Sequence, residues 1–509
     1  MKKITVMLLI GAMVMSMIGC ANESSSTKES EVSQKDTQSD VEVDNSEEVV
    51  EEREPVTLRI VKYESPRPDD ALVSEYISEL PQVKELNVTI EIVHTDASYY
   101  EQLPLMLASD EQIDIVFDAR SGGLFLNNVA KSAYYDISEF VEEDAEFKEY
   151  IGKTLWDVVT VEGGIYGVPT LKDTAVQFAL FGDKAIFDKH GISTEDVSNF
   201  EDMEKVLETV AQDEEYWPLS FQPWTWSQVL WMYMGTEVNY FCDYNYLAMR
   251  FDEAKTVLNT FETEEFMEFA VKMKSWLEKG YIHEQSMISG DENVICNGLK
   301  PALRTVGYAP ACEGILATAY GTEEMISFFP SAPIATSGSA GGAIYCVTQK
   351  CENPERAYEF LRLWNTDADV KNAIAYGIPD RHYTLIDGQV KYVEGSGDMY
   401  SQSMWSTGNN LIAYTLVGDP VDKWEIYEDW NKSSIASPDI GFTLAITGLE
   451  DEMAAVNAVM SEYLIPIVCG HSQDVEADVA TLNKMLKEAG IDTIIAEAQK
   501  QFDAFLAAK

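Results

Sequence analysis

From Pro55 onward the apolar positions fall into two alternating rhythms. Val56-Thr57-Leu58-Arg59-Ile60-Val61-Lys62-Tyr63 alternates with β-branched residues and predicts a strand. Asp69 to Leu80 carries helical spacing, Val88 to Val93 predicts a second strand, Tyr99 to Ala108 a second helix and Ile113 to Phe117 a third strand. Strand, helix, strand, helix, strand predicts parallel pairing through crossover helices, hence an α/β fold. In such sheets ligands sit beyond the carboxyl ends of the strands, which singles out Tyr63 to Ser65 and Asp118 to Gly123.

Ahead of this body the pattern changes twice. Lys2 and Lys3 precede an apolar run from Ile4 to Ile18, about 15 residues and shorter than the roughly 20 of a spanning helix, so residues 1–19 read as a signal peptide. Residues 21–54 are polar and acidic, with neither aromatic residues nor glycine, and predict a disordered tether reaching on the order of 30 Å.

Composition narrows the class. The 509 residues are 46% apolar, which suits a folded chain of several domains and excludes a small stapled scaffold. Against 87 Asp and Glu stand 36 Lys and Arg, a formal charge of −51, which repels nucleic-acid phosphates and anionic membrane surfaces. No nucleic-acid partner is expected. Of the seven cysteines, the six beyond Cys20 form no Cys-x-x-Cys unit, and apolar settings such as Ile344-Tyr345-Cys346-Val347 favour free thiols.

Candidate chemistry lies in aromatic and polar groups. Tyr216-Trp217-Pro218, Phe221-Gln222-Pro223-Trp224-Thr225-Trp226, Trp231 and Tyr233 exceed the chain's 11% aromatic content. Pro218 and Pro223 keep part of this stretch irregular, so Trp224 and Trp226 are candidates for stacking on a ligand, whereas Trp231 is expected to face a core. Asp118, Arg120, Lys172 and Asp173 follow strand-like segments and have the charge to grip hydroxyls. Tyr308 sits in a Gly/Pro-flanked loop, and Trp405 lies among Ser401, Ser403, Ser406 and Thr407. The five histidines are scattered and show no metal-ligand spacing; neither Gly-x-Ser-x-Gly nor a phosphate loop occurs. No enzyme and no cofactor is expected.

Four stretches in order carry a family resemblance: Leu107-Ala108-Ser109-Asp110 before Asp114-Ile115-Val116-Phe117; Gly163-Gly164-Ile165-Tyr166-Gly167-Val168-Pro169; Asn353-Pro354-Glu355-Arg356-Ala357; and Ala489-Gly490-Ile491-Asp492 with Glu497, Gln499, Gln501, Phe502 and Asp503. With Met17-Ile18-Gly19-Cys20, similar to a lipobox, the chain resembles the extracellular solute-binding proteins of family 1, sugar-binding lipoproteins of bacterial ABC importers, and within them a Gram-positive LipO-like subgroup. Tyr376 to Tyr383 is similar to a subgroup motif but carries Pro379-Asp380 in place of Glu-Gly.

The resemblance implies a two-lobe periplasmic-binding-protein-like fold of type II, with mixed sheets flanked by helices and a cleft between lobes. It implies a first crossing near Pro169 to Ala175 and a return near Phe329 to Gly338; Pro330, Pro333, Gly338, Gly341 and Gly342 independently mark the return as a hinge. The expected lobes are 55–172 with 332–385, and 173–331 with 386–509. The implied function is capture of an extracellular carbohydrate, of oligosaccharide size, by a monomer acylated at Cys20 on the outer face of the cytoplasmic membrane, for delivery to ABC permease subunits. The alternatives are a binder of peptides or cationic solutes, and a surface glycan hydrolase.

Overall fold

The computed structural model describes residues 53–508 except 97, 121 and 122; the signal peptide, Cys20 and the tether up to residue 52 lie outside the described residues. The expected opening is present: β1 (Val56–Tyr63), α1 (Asp70–Ser78), β2 (Val88–Thr95), α2 (Tyr99–Ala108) and β3 (Ile115–Asp118). Strand β1 pairs in parallel with β2 and β3. Burial of every second residue of β2 (Val88, Ile90, Ile92, His94) turns one face of that edge strand to the core, whereas β3 is buried on both faces.

After β4 (Val168–Pro169) the chain enters a second body: β5 (Phe178–Asp183), β6 (Tyr216–Ser220), α3 (Trp226–Met234), β7 (Val238–Phe241), β8 (Tyr244–Arg250), β9 (Val257–Asn259), β10 (Lys300–Gly307) and β11 (Met325–Phe328). It returns through β12 (Ile334–Ala335) to β13 (Ile344–Val347), α4 (Pro354–Thr366) and α5 (Ala368–Tyr376), then α6 (Lys423–Ser433) and β14 (Ile435–Ala436). The last helices are α7 (Val475–Glu488) and α8 (Ile491–Ala508). The first sheet has the order β2-β1-β3-β13-β4, its last two strands antiparallel to their neighbours. The second body carries β11-β5-β10-β6 and β9-β8-β7.

Two separate apolar cores make these two lobes, and the changeover is sharp. Ala175 packs in the first core and Val176 against the second; Ile334 is in the second and Ala335 in the first; Ile440 is in the first and Phe442 in the second. The three crossings lie side by side, because Val176 exchanges backbone hydrogen bonds with Ile334 at 2.8 and 2.9 Å while β12 pairs in parallel with β14. A ribbon this thin constrains the lobes little, which is what hinge motion requires.

The lobe boundary at 385 needs correction. Tyr400 and Ile440 are buried in the first core. The Tyr345 hydroxyl donates to Ser406 O, and Trp364 Nε1 donates to Thr407 O at 2.9 Å. The stretch from 386 to 440 therefore packs on the first lobe before the third crossing. All six cysteines of the described residues are free, four of them buried.

Candidate functional site

The carboxyl ends of β1 and β3 present a wall of rings. Tyr63 stacks on Tyr100 (centroids 6.1 Å, 20° between planes) and lies 6.3 Å from Trp405, whose ring meets Phe117 edge-on at 5.6 Å. Trp405 keeps 39% of its surface exposed, so one side of the indole is available to a ligand. Ser65 is exposed two residues past Tyr63. Tyr100, at the first turn of α2, was missed by sequence reasoning; its only signal was the Tyr99-Tyr100 pair opening a helix.

On the second lobe Tyr308 follows β10 directly. Its ring stacks on Phe181 (6.4 Å, 23°), meets Phe329 edge-on at 4.6 Å and meets Trp430 at 6.1 Å. Trp430 belongs to α6 on the first-lobe side, and its Nε1 donates to Gln177 Oε1 at 3.0 Å. Tyr308 and Trp430 thus face each other across the lobe boundary, beside the ribbon. The signal for α6 was there to read: Trp424, Tyr427 and Trp430 recur every three residues, which is one helical face. Asn431 on the same helix accepts from Thr174 N at 3.0 Å and donates to Lys172 O at 2.6 Å, tying the first crossing to α6.

Other sequence candidates have structural partners. Asp118 is fully buried, and its carboxylate accepts from Ala119 N and Leu124 N at 2.8 Å, Asn128 Nδ2 at 3.0 Å and the Tyr134 hydroxyl. With its oxygens committed it cannot grip a solute; it shapes the loop, where a Cβ at Gly123 would meet Ala119 O at 2.3 Å. Burial raises its pKa against these hydrogen bonds. Lys172 is buried, and its ammonium donates to Asp173 O at 2.8 Å. Asp173 is half-buried near Tyr427.

Arg120 turns from solute to hinge. Its guanidinium donates to Val158 O (3.0 Å) in the first lobe and to Phe442 O (3.3 Å) and the Thr443 hydroxyl on the third crossing. Burial brings it down to about 10. Gly341 makes room: a Cβ there would stand 2.9 Å from Arg120 Cγ and Cδ. Near Arg120 are two carboxylates held above their usual range by desolvation, Asp439, which is buried, and Asp243 in the β7–β8 turn. Asp243 accepts from Gly338 N at 3.0 Å, and Asp439 accepts from Cys242 N at 2.6 Å. Cys242 and Asp243 both have positive φ, the two-residue turn that brings the β7–β8 hairpin against the ribbon.

The two tryptophans of the aromatic stretch part company. Trp226 is buried in the second core at the start of α3, a core residue and not a ligand contact, because its position at the first helical turn points it inward. Trp224, two residues earlier in the loop, is 60% exposed and lies on Gly290, where an added Cβ would fall 2.3 Å from the ring. Trp231 is core, as the helical spacing implied. The structure thus brings Tyr63 together with Trp405, and Arg120 and Lys172 to either side of Gly341-Gly342, and leaves Trp224 apart on the second lobe.

Two α/β lobes with separate cores, three crossings and ring-lined strand ends at the boundary define the two-lobe solute-binding proteins, and this chain has their fold. It is 23% identical over 426 residues, 80% of this chain and 82% of the relative, to a carbohydrate ABC transporter substrate-binding protein of Streptococcus pneumoniae serotype 4. The N-glycan transport solute-binding protein NgtS of Streptococcus pneumoniae superposes with a TM-score of 0.74 at 20% identity, covering 89% of this chain and 99% of that one. NgtS in complex with Man5GlcNAc superposes at 0.58, 20% identical, over 90% and 99% of the chains. FusA of the same organism, in complex with kestose, superposes at 0.56, 15% identical, over 89% and 100%. Residues 438–507 match a domain of unknown function, DUF3502; they span the third crossing and the closing helices of the second lobe.

Proposed function

We propose that this chain is the substrate-binding component of a bacterial ABC importer, which captures an extracellular oligosaccharide between its lobes and delivers it to a membrane permease. The observations that carry the reading are two ring clusters, Tyr63 with Trp405 at the strand ends of one lobe and Tyr308 with Trp430 across the lobe boundary, together with a thin three-stranded hinge. Sugars present flat patches of C–H that suit exposed rings, and each ring side left open here is one that a ligand can cover. Relatives of the same fold, solved with Man5GlcNAc and kestose, support ligands of oligosaccharide size. Closure follows as a population shift, because a sugar touching both clusters favours the arrangement that brings them together. Asp173, Lys172 and Ser65 complete the proposed rim, and Trp224, apart on the second lobe, is the ring proposed to meet an outlying part of the ligand. The protein acts as a monomer without bond-making chemistry, anchored outside the cytoplasmic membrane through a diacylated Cys20.

A thermal-shift screen of mono- and oligosaccharides, peptides and polyamines tests this, since a ligand that binds only the folded state raises the midpoint with concentration. Upward shifts with oligosaccharides alone support the reading. A shift confined to peptides or polyamines, or release of a cleaved glycan, overturns it. Metabolic labelling with palmitate, lost in Cys20→Ala, tests the anchor.

A further inference from the structure

Two buried lysines donate to neutral oxygens of the same strap; the Glu64 and Asp70 carboxylates lie near enough to Lys62 to favour its charge without accepting from it among the described hydrogen bonds. Lys62, on β1 beside its register partner His94, is fully buried, and its ammonium donates to Gln402 Oε1 at 2.6 Å. Lys371, on α5, is fully buried and donates to Thr407 O at 2.7 Å and Asn410 Oδ1 at 2.8 Å. Between these anchors the strap from 400 to 410 carries Trp405. Glu64 adds a third tie, accepting from Ser403 N at 2.7 Å. Gln402 is itself held, with Nε2 3.1 Å from His94 Nε2, and His94 Nδ1 is 2.8 Å from Asp70 Oδ2.

Burying an ammonium is costly, and neutral oxygens return less of that cost than a hydrogen-bonded carboxylate. A Met or Leu at either position fills the same core at lower cost. What the apolar residue cannot do is hold a segment whose only regular structure is the short 3-10 turns Met404–Ser406 and Asn410–Ile412 in one place; a buried donor surrounded by fixed acceptors can. The segment it holds is the one that places an exposed indole beside Tyr63. We infer that Lys62 is a positioning residue: through Gln402 it fixes the strap so that Trp405 stands as a preorganised sugar platform, and affinity is gained because the ring does not have to be ordered on binding. This rests on the reading of the cleft as a saccharide site.

The test uses Lys62→Met, Gln402→Leu, Trp405→Ala and the two double variants with Trp405→Ala. Hydrogen exchange on the ligand-free protein comes first. Faster exchange across 400–410 in both Lys62→Met and Gln402→Leu, with β1 and β3 unchanged, supports the tie; unchanged exchange in the strap overturns it. Gln402→Leu cuts the same bond without touching the strand, so a misfolded Lys62→Met does not end the test. Calorimetry then uses whichever of kestose, Man5GlcNAc and maltohexaose shifts the wild-type midpoint most. Lys62→Met is expected to weaken binding about tenfold alone and to have no further effect in the Trp405→Ala background. Equal losses in both backgrounds overturn the inference. A wild-type protein that binds no saccharide sinks the proposed function instead, and the exchange result still decides whether Lys62 holds the strap.

Discussion

Replacing Gly290 with alanine isolates the Trp224 ring from the rest of the site. The added Cβ would stand 2.3 Å from Cη2 and 2.8 Å from Cζ3, inside any real contact distance. The indole is the partner that moves, because it is 60% exposed and packed on one side only. Folding stability should change by under about 1 kcal/mol, since no core is disturbed. Binding has more to lose. A tryptophan covers roughly 150–250 Å² when wholly buried. A sugar on its free side therefore hides on the order of 80 Å², about 2 kcal/mol at about 25 cal/mol per Å². That is roughly 30-fold in affinity. Calorimetric titration of Gly290→Ala with the oligosaccharide that binds wild type should show such a loss, matched by Trp224→Ala, while the midpoint of the free protein moves by no more than about 2 °C. If neither variant weakens binding, Trp224 lies beyond the ligand's reach and the reasoning is refuted. If Trp224→Ala weakens it and Gly290→Ala does not, the glycine seat has no role.

Trp226→Ala should behave in the opposite way, costing about 3–5 kcal/mol of stability as a buried ring, read as a lower urea midpoint. Lys62 gives a pH dependence of definite sign. Burial lowers its pKa from 10.5 to about 8, so below that value the folded state carries the full cost of a buried charge. Between the two values the folded protein sheds a proton that the unfolded chain keeps, and stability should rise with pH by on the order of 2 kcal/mol relative to Lys62→Met in urea titrations at pH 7.5 and 9.5. A flat difference between the two proteins would contradict it. Arg120→Met removes the cation beside Asp243 and Asp439 and the bonds from the first lobe to the third crossing. X-ray scattering of the ligand-free variant should show a broader range of interlobe distances; a curve superimposable on wild type would reject Arg120 as a hinge tie.

Much of the first lobe was legible in advance. Strand β1 was read to its last residue and α2 to both ends, because alternating and helical periodicities are local and uninterrupted there. The return at 334–335 was readable from its prolines and glycines. The stretch after 385 was not, since the strap from 400 to 410 has no periodicity of its own; its place is dictated by Lys62, Lys371, Tyr345 and Trp364, all distant in sequence. The same distance effect reassigned Asp118 and Arg120. Each follows a strand end, as a solute contact would, yet one closes a loop on Tyr134 and Asn128 and the other reaches the chain more than 300 residues later.

Local patterning by itself therefore determined the α/β character, the order of the opening elements and the wealth of aromatic groups, because burial of one face imposes a period that neighbouring residues must share. Which rings stay open to a ligand, with Trp224 on its glycine and Trp405 on its strap while Trp226 is buried, was decided only by the tertiary structure. An aromatic side chain has the same composition and the same drive to leave water whether its cover is the protein core or a sugar, and only packing determines which of the two remains free to provide it.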